Sequence, residues 1–213
     1  LLDGLVAMEL LVKRDGRYQN LPVASACLRP GQPGYQGHII RHLQHVSARW
    51  ARLAEAVRTG TAPGVEETRP GPEQLRAFIL GMSDIARWSA QEVLDAVDLS
   101  GRRHLLDLGA GPATYAITFL RAHPRMRATV FDRPEVIAIA REEVARADLD
   151  DRVSFIGGDM TADAYGTGYD LVLLSNIIHA FGPSVNRAVL RRCREALEPG
   201  GLLIIKDFLV EDD

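Results

Sequence analysis

The sequence predicts an α/β protein: a doubly wound, mostly parallel sheet with helices on both faces, preceded by a smaller helical unit. Three observations lead there. From Arg102 onward, short apolar runs alternate with helix-period segments, the pattern of strands joined by crossover helices. The first of those runs ends in Gly109-Ala110-Gly111, directly before a helical stretch. The stretch Thr59 to Pro72 is rich in Gly, Pro and Thr, a composition typical of linkers. The predicted division is residues 1–72 and 73–213.

Bulk properties narrow the class. At 213 residues the chain can bury one sizeable core and a smaller appendage. A net charge of −3 gives no global basic field, so nucleic acid is not an expected partner. No apolar run approaches the ~20 residues of a membrane span, and no signal peptide opens the chain, so no membrane partner is expected either. Cys27 and Cys193 form no CxxC pair, so neither a zinc site nor a disulfide framework is indicated and a reduced, cytoplasmic setting is expected. Both ends read as cut. The first residues begin inside a helical pattern with no Met and no cap, and the last follow an apolar strand directly; further C-terminal strands are expected to be missing.

In order along the chain, residues 1–12 read as an amphipathic helix and residues 13–18 as a hairpin turn. A helix followed by a small hairpin resembles the end of a winged-helix unit. With so few basic residues in the helix, a structural or dimerising use is favoured over DNA binding. Residues 30–37 carry three glycines and two prolines and read as a loop. Residues 38–59 are helical in period (Ile39, Ile40, Leu43, Val46, Trp50, Leu53, Val57). His38 and His42 are i, i+4 partners on this helix, but no carboxylate–His motif accompanies them and no metal is expected. A second helix spans Leu75 to Leu94. Strands are then predicted at His104–Leu108, Ala128–Phe131, Val153–Ile156, Leu171–Leu174 and Leu202–Ile205. Between them lie helices at Ala113–Arg121, at Pro134–Arg146 with Pro in its first position, and at Pro183–Leu197, ended by Pro199-Gly200-Gly201.

The glycine turn sits where a doubly wound sheet binds nucleotides, at the carboxyl end of its first strand. A dinucleotide fingerprint would continue to a third glycine, which lets the helix receive a pyrophosphate. Here that position is Thr114, preceded by Pro112. S-adenosylmethionine (SAM) has no phosphate and needs no third glycine; its cationic sulfonium and amino-acid end favour a carboxylate, and Asp107 is in place for that. Two further acids extend the pattern. Asp132, with Arg133 beside it, ends the second strand 21 residues after Gly111, where a carboxylate accepts hydrogen bonds from both ribose hydroxyls. Asp159 follows the third strand, placed for the adenine amino group, with Met160 packing on the ring. Three acids at successive strand ends behind Gly109 and Gly111 predict a nucleoside site, and SAM as the cofactor.

The segments Leu105-Leu106-Asp107-Leu108-Gly109-Ala110-Gly111, Phe131-Asp132-Arg133-Pro134-Glu135-Val136-Ile137, Gly158-Asp159-Met160 and Phe78-Ile79-Leu80-Gly81-Met82-Ser83-Asp84 resemble those of the winged-helix, class I SAM-dependent O-methyltransferases. That family contains the plant caffeate and flavonoid enzymes and the bacterial antibiotic-tailoring ones. The resemblance covers nearly the whole chain. It implies a Rossmann-like SAM-binding domain behind a partial winged-helix and helical dimerisation region, and a homodimer through that region. It implies methyl transfer from SAM, leaving S-adenosylhomocysteine, to a hydroxyl of a small aromatic natural product. Phe78 and Met82 lie on the family's helix beneath the substrate; Phe181 and Trp88 join them as candidate substrate contacts.

The segment Ser175-Asn176-Ile177-Ile178-His179-Ala180-Phe181 matches the family's strand-to-histidine motif. The resemblance makes His179 the base that takes the acceptor's proton, with Asp207 as the acid orienting it. Three positions depart from the pattern: Ala180 stands where the family has an acid, Phe181 where it has Trp, and Ser175 where it has a cofactor-side Lys. Ser175 can still hydrogen-bond the SAM carboxylate, without charge. The chemistry supports the histidine independently, since a phenol titrates near 10 and an imidazole near 6.5, so the imidazole can share the proton as the oxygen attacks. Because of those departures, a SAM-binding relative with decarboxylating, hydroxylating or pericyclic chemistry stays open, and behind it a SAM-sensing DNA-binding regulator.

Overall fold

The computed structural model describes residues 1–61 and 71–209; most of the predicted linker lies outside them. The chain divides into two compact units, Leu1–Ile85 and Ala86–Asp213.

The first unit opens with helix α1 (Leu2–Ala7) and an antiparallel hairpin of β1 (Leu11–Arg14) and β2 (Arg17–Asn20). The sequence predicted helix to residue 12. The structure ends it at Ala7, because Leu11 and Val12 are taken by pairing with Asn20 and Gln19. Asp15 and Gly16 both have positive φ (50° and 74°), the two-residue turn whose twist matches a hairpin. Helix α2 (Pro22–Cys27), which the sequence reading lacked, starts with Pro in its first turn. The predicted 38–59 helix is two: α3 (Gly37–Trp50) and α4 (Leu53–Thr59), the latter ended by left-handed Gly60.

Helix α5 (Pro72–Ala96) begins in the first unit and ends in the second. In the first unit it lies close against α3: a β-carbon on Gly81 would sit 3.1 Å from the Ile39 Cα. Three residues on, the buried Asp84 carboxylate accepts the backbone N–H groups of His38 and Ile39, each at 3.1 Å, and faces His38 Nδ1 at 3.2 Å. A carboxylate on otherwise unsatisfied first-turn amides is a favourable cap.

The second unit is a five-stranded parallel sheet. Its strands are β3 (His104–Leu108), β4 (Arg127–Asp132), β5 (Val153–Gly157), β6 (Tyr169–Ser175) and β7 (Leu197–Lys206), in the spatial order β5-β4-β3-β6-β7. Helices α6 (Thr114–Ala122) and α7 (Pro134–Arg146) pack with the end of α5 on one face, around Leu105, Phe119, Val130, Leu171 and Leu173. Helix α8 (Pro183–Ala196) covers the other face, through Val189 and Cys193 against Leu106, Val172 and Leu174. The central strands are buried on both sides, which is why they read as continuous apolar runs. Chain order moves outward from β3 in one direction and from β6 in the other. The β3/β6 boundary is therefore the topological switch point, where ligands bind in such sheets. This is the α/β methyltransferase fold.

Candidate active site

The glycine turn opens directly at that switch point. Gly109, Gly111 and Ala113 have φ of 72°, 55° and 62°, the left-handed region that glycine enters without strain. The Phe131 carbonyl accepts Gly109 N–H at 2.8 Å and Ala110 N–H at 3.3 Å, which ties the turn to the end of β4. A β-carbon on Gly109 would lie 2.3 Å from Ile177 Cδ1 and 3.0 Å from Met160 Cε, whereas beside Gly111 the space is open. The turn thus forms one wall of a cradle whose other sides are Ile177 and Met160.

Two carboxylates brace this wall. Asp132 accepts Gly111 N–H at 2.8 Å through one oxygen and Arg133 N–H at 2.7 Å through the other. Burial raises its pKa above the ordinary carboxylate value, against the pull of those two amides. Each oxygen keeps a second lone pair for an incoming hydroxyl. Asp107 is 2 % exposed and accepts Ala116 N–H at 3.2 Å. Burial pushes its carboxyl up to about 7, partly offset by the Ala116 amide and reinforced by the charge of Asp132. A carboxyl in this state gains from a nearby cation.

At the end of β5, Asp159 is exposed. Its Oδ1 accepts the backbone N–H and the hydroxyl of Thr161, both at 2.7 Å, and its own N–H donates to Asp163 Oδ2 at 2.8 Å. Thr161 holds its carboxyl below the usual range. The Met160 carbonyl receives the Tyr165 hydroxyl at 2.5 Å and Arg192 Nη1 at 3.4 Å, so this turn is fixed from both ends. Arg133 is exposed and pairs with Glu135 at 3.5 Å.

On the far side of the switch point, β6 ends at Ser175, level with the glycine turn because Leu108 pairs with Leu174. The chain then kinks at Asn176, a non-glycine residue with φ of 54°, and forms a single turn over Ile178–Ala180 that carries His179. His179 Nδ1 lies 2.7 Å from Asp207 Oδ1, and the His179 N–H donates to Asp207 Oδ2 at 3.3 Å. The imidazole is 47 % exposed while the Asp207 side chain is 4 % exposed. Burial raises the Asp207 carboxyl, but hydrogen bonds from His179 and from Phe208 N–H outweigh it and hold the group below the usual carboxylate range. The Phe208 ring stands edge-on to His179 at 5.7 Å.

Three residues here escaped the sequence reading. Asn186, on α8, donates its amide hydrogens to the carbonyls of Ile178 (2.8 Å) and Phe181 (3.0 Å), pinning the turn that carries His179. Lys206, the register partner of Ser175, donates to Asn176 Oδ1 at 3.0 Å, so a cation stands one strand away from the position where the family has its Lys. Tyr115, in the first turn of α6, is buried in the core on the face of the sheet that α6 and α7 cover. None lies in a recognisable motif; register and helix phase alone place them.

Of the acceptor candidates, Phe181 is half-buried next to His179, and Trp88 on α5 is 73 % exposed. Phe78 and Met82 belong to the first unit, where the Phe78 ring lies 5.0 Å from that of His42 and Met82 is half-buried.

A doubly wound sheet with a glycine turn at its switch point, acids at the ends of its first three strands and a histidine–carboxylate pair on the next two defines a SAM-methyltransferase type of α/β domain. Comparison with known proteins agrees: residues 50–213 match the O-methyltransferase domain family, and the chain belongs to that family. It is 38 % identical over 224 residues to a 3-hydroxy-5-methyl-1-naphthoate 3-O-methyltransferase of Streptomyces sahachiroi, covering 100 % of this chain and 64 % of that protein. It is 34 % identical over 220 residues to the tetracenomycin polyketide synthesis 8-O-methyl transferase TcmO of Streptomyces glaucescens, with the same coverage. The structure of human N-acetylserotonin methyltransferase in complex with SAM superposes with a TM-score of 0.82 at 26 % identity, over 96 % of this chain and 63 % of that one. The chain thus spans about two thirds of the length of these relatives.

Proposed function

We propose that this protein transfers the methyl group of SAM to a hydroxyl of a small aromatic acceptor, releasing S-adenosylhomocysteine, with His179 as general base. One observation carries the reading: the His179–Asp207 pair and the glycine turn with Asp132 stand at the same carboxyl edge of one sheet, on either side of its switch point. The names and activities of the relatives support the same chemistry.

SAM, when bound, supplies a methyl group on a sulfonium, already activated for displacement. The residues of the chain do the rest. Asp132 accepts the ribose hydroxyls on its remaining lone pairs, Arg133 closes that side, Asp159 takes the adenine amino group and Met160 packs on the ring. Asp107 meets the ammonium of the amino-acid end, and Ser175 hydrogen-bonds its carboxylate. Asp207 accepts a hydrogen bond from Nδ1–H of His179, leaving Nε2 free to take the acceptor's proton. The gain comes from alignment of the acceptor oxygen and from that proton transfer. Phe181, two residues from His179, contributes an aromatic contact to the acceptor.

We further propose a homodimer. Helices α3 and α4 leave Leu43, Trp50, Leu53 and Val57 half or more exposed, an apolar surface a second copy can cover; α1 contributes to it. Among the described residues no helix is long and apolar enough to cross a membrane, and the free thiols of Cys27 and Cys193 fit a reducing, cytoplasmic setting. Light scattering tests the dimer. Calorimetry tests the cofactor: S-adenosylhomocysteine should bind the wild-type protein, and Asp132→Ala should weaken it at least 10-fold, by loss of charged hydrogen bonds. Equal affinities would remove Asp132 from the site.

A further inference from the structure

We infer that Arg192 is a positioning residue for adenine recognition: from α8 its guanidinium holds the turn that carries Asp159 and Met160, and so sets a preference for a purine with an amino group over one with a carbonyl. The inference rests on the cofactor reading above and deepens it by naming what keeps the adenine-side turn in place.

The turn first closes on itself. The Asp159 carbonyl accepts Ala162 N–H at 3.0 Å and Asp163 N–H at 2.7 Å, and Asp159 N–H donates to Asp163 Oδ2 at 2.8 Å. These bonds leave out the carbonyls of Met160 and Asp163. Arg192 takes both: its Nη1 donates to the Met160 oxygen at 3.4 Å and to the Asp163 oxygen at 3.2 Å. That nitrogen carries two hydrogens, one for each carbonyl. The buried Tyr165 adds its hydroxyl to the Met160 oxygen at 2.5 Å.

Helix phase brings the arginine there. Val185, Val189, Cys193 and Ala196 recur along α8 at helix spacing and pack on the sheet. Arg192 stands beside that stripe and is half-buried, whereas Arg191 and Arg194 are exposed. A long stem can follow the apolar surface while its planar head reaches the carbonyls beyond.

The clamp bears on both side chains assigned to the adenine. The Met160 methyl reaches the glycine turn, 3.0 Å from where a β-carbon on Gly109 would lie, so fixing the Met160 backbone fixes where that side chain enters the cradle. Thr161 engages Asp159 Oδ1 twice, which leaves Oδ2 to accept the amino group. Hydrogen bonds from Thr161 hold the Asp159 carboxyl below the usual range, and the Arg192 charge adds to this. At neutral pH the group is therefore ionised and accepts only. Such a group receives the amino hydrogens of adenine and repels a carbonyl oxygen in their place. Arg192 supports that selection twice, through the position of the turn and through its charge.

The test compares S-adenosylhomocysteine with S-inosylhomocysteine, the same molecule with the purine amino group replaced by a carbonyl oxygen, by calorimetry on wild type, Arg192→Met and Arg192→Lys. Wild type should prefer S-adenosylhomocysteine by about 10-fold or more. Arg192→Met keeps the stem and removes donors and charge; it should lose roughly 10-fold in S-adenosylhomocysteine affinity, the scale of a hydrogen bond to a charged group, with S-inosylhomocysteine unchanged within about twofold. Arg192→Lys keeps a cationic donor and should hold the preference within about threefold of wild type. Because Tyr165 still serves the Met160 carbonyl and Asp163 is exposed to water, Arg192→Met should melt within a few degrees of wild type. Should it not fold, Arg192→Gln makes the same comparison, with the same loss of preference expected. A wild-type preference in Arg192→Met, or an equal loss for both ligands, overturns the inference. So does a wild type that binds both ligands equally, which leaves the cofactor reading standing; a wild type that binds neither overturns the cofactor reading itself.

Discussion

His179 and Asp207 are joined twice: Nδ1 to Oδ1 at 2.7 Å and the backbone N–H to Oδ2 at 3.3 Å. The second bond fixes the carboxylate relative to the backbone that carries the imidazole, so ring orientation and tautomer are set together. His179→Ala should therefore lower kcat by about 10²- to 10⁴-fold, the usual range for a general base, with S-adenosylhomocysteine affinity unchanged. Asp207→Asn keeps the shape but loses the acceptor-only partner of Nδ1 and should cost kcat roughly 10-fold or more. Stopped-time assays beside calorimetry separate the two effects; full activity of His179→Ala would remove it as the base.

Asn186 holds the carbonyls on either side of His179. Asn186→Ala removes both donors; the Ile178 carbonyl keeps the Phe181 N–H at 3.4 Å, while the Phe181 carbonyl loses its Asn186 bond, at a cost of about 1–3 kcal/mol. Thermal unfolding should show that loss, and kcat should fall further than S-adenosylhomocysteine affinity. A variant with normal kcat would mean that the turn holds its shape without the clamp.

Gly109→Ala combines a positive φ with a β-carbon 2.3 Å from Ile177 Cδ1. Strain and overpacking each cost about 1–3 kcal/mol, and the new methyl fills the cradle. Loss of S-adenosylhomocysteine binding with a lowered Tm is expected; Ile177→Ala in the same chain should relieve the clash with its side chain but not the backbone strain. Normal binding by Gly109→Ala alone would place the ligand elsewhere.

Asp107 gives a pH signature. Its folded-state pKa is raised to about 7, so between roughly pH 4 and pH 7 the folded state holds a proton that the unfolded state releases. Stability from this group is then highest below pH 4 and falls as pH rises through that window, by at most about 4 kcal/mol. Asp107→Asn keeps the Ala116 hydrogen bond and removes the titration, so its Tm should exceed that of wild type at pH 8 and match it near pH 4. Parallel Tm curves would contradict the burial argument.

Much of this was legible in the sequence, for physical reasons. The central strands β3, β4 and β6 announced themselves because they are buried on both faces, and Gly109 and Gly111 because left-handed backbone fits the turn. The pairing of His179 with Asp207 was implied by the family resemblance, and the structure brings the two side chains to 2.7 Å. What could not be read depends on register and phase. Leu11 and Val12 suit a helix and a strand equally until the Asp15-Gly16 turn pairs them. Ser175 looked like a simple loss of charge because nothing in the sequence shows that Lys206 is its register partner on β7.

The most direct measurement incubates the protein with SAM and a panel of phenols and naphthols, following S-adenosylhomocysteine and acceptor mass together. The account predicts equal amounts of S-adenosylhomocysteine and O-methylated product with at least one acceptor, at a rate lowered about 10²- to 10⁴-fold in His179→Ala. SAM binding without S-adenosylhomocysteine formation on any acceptor, or an acceptor changed without gain of a methyl group, would contradict it.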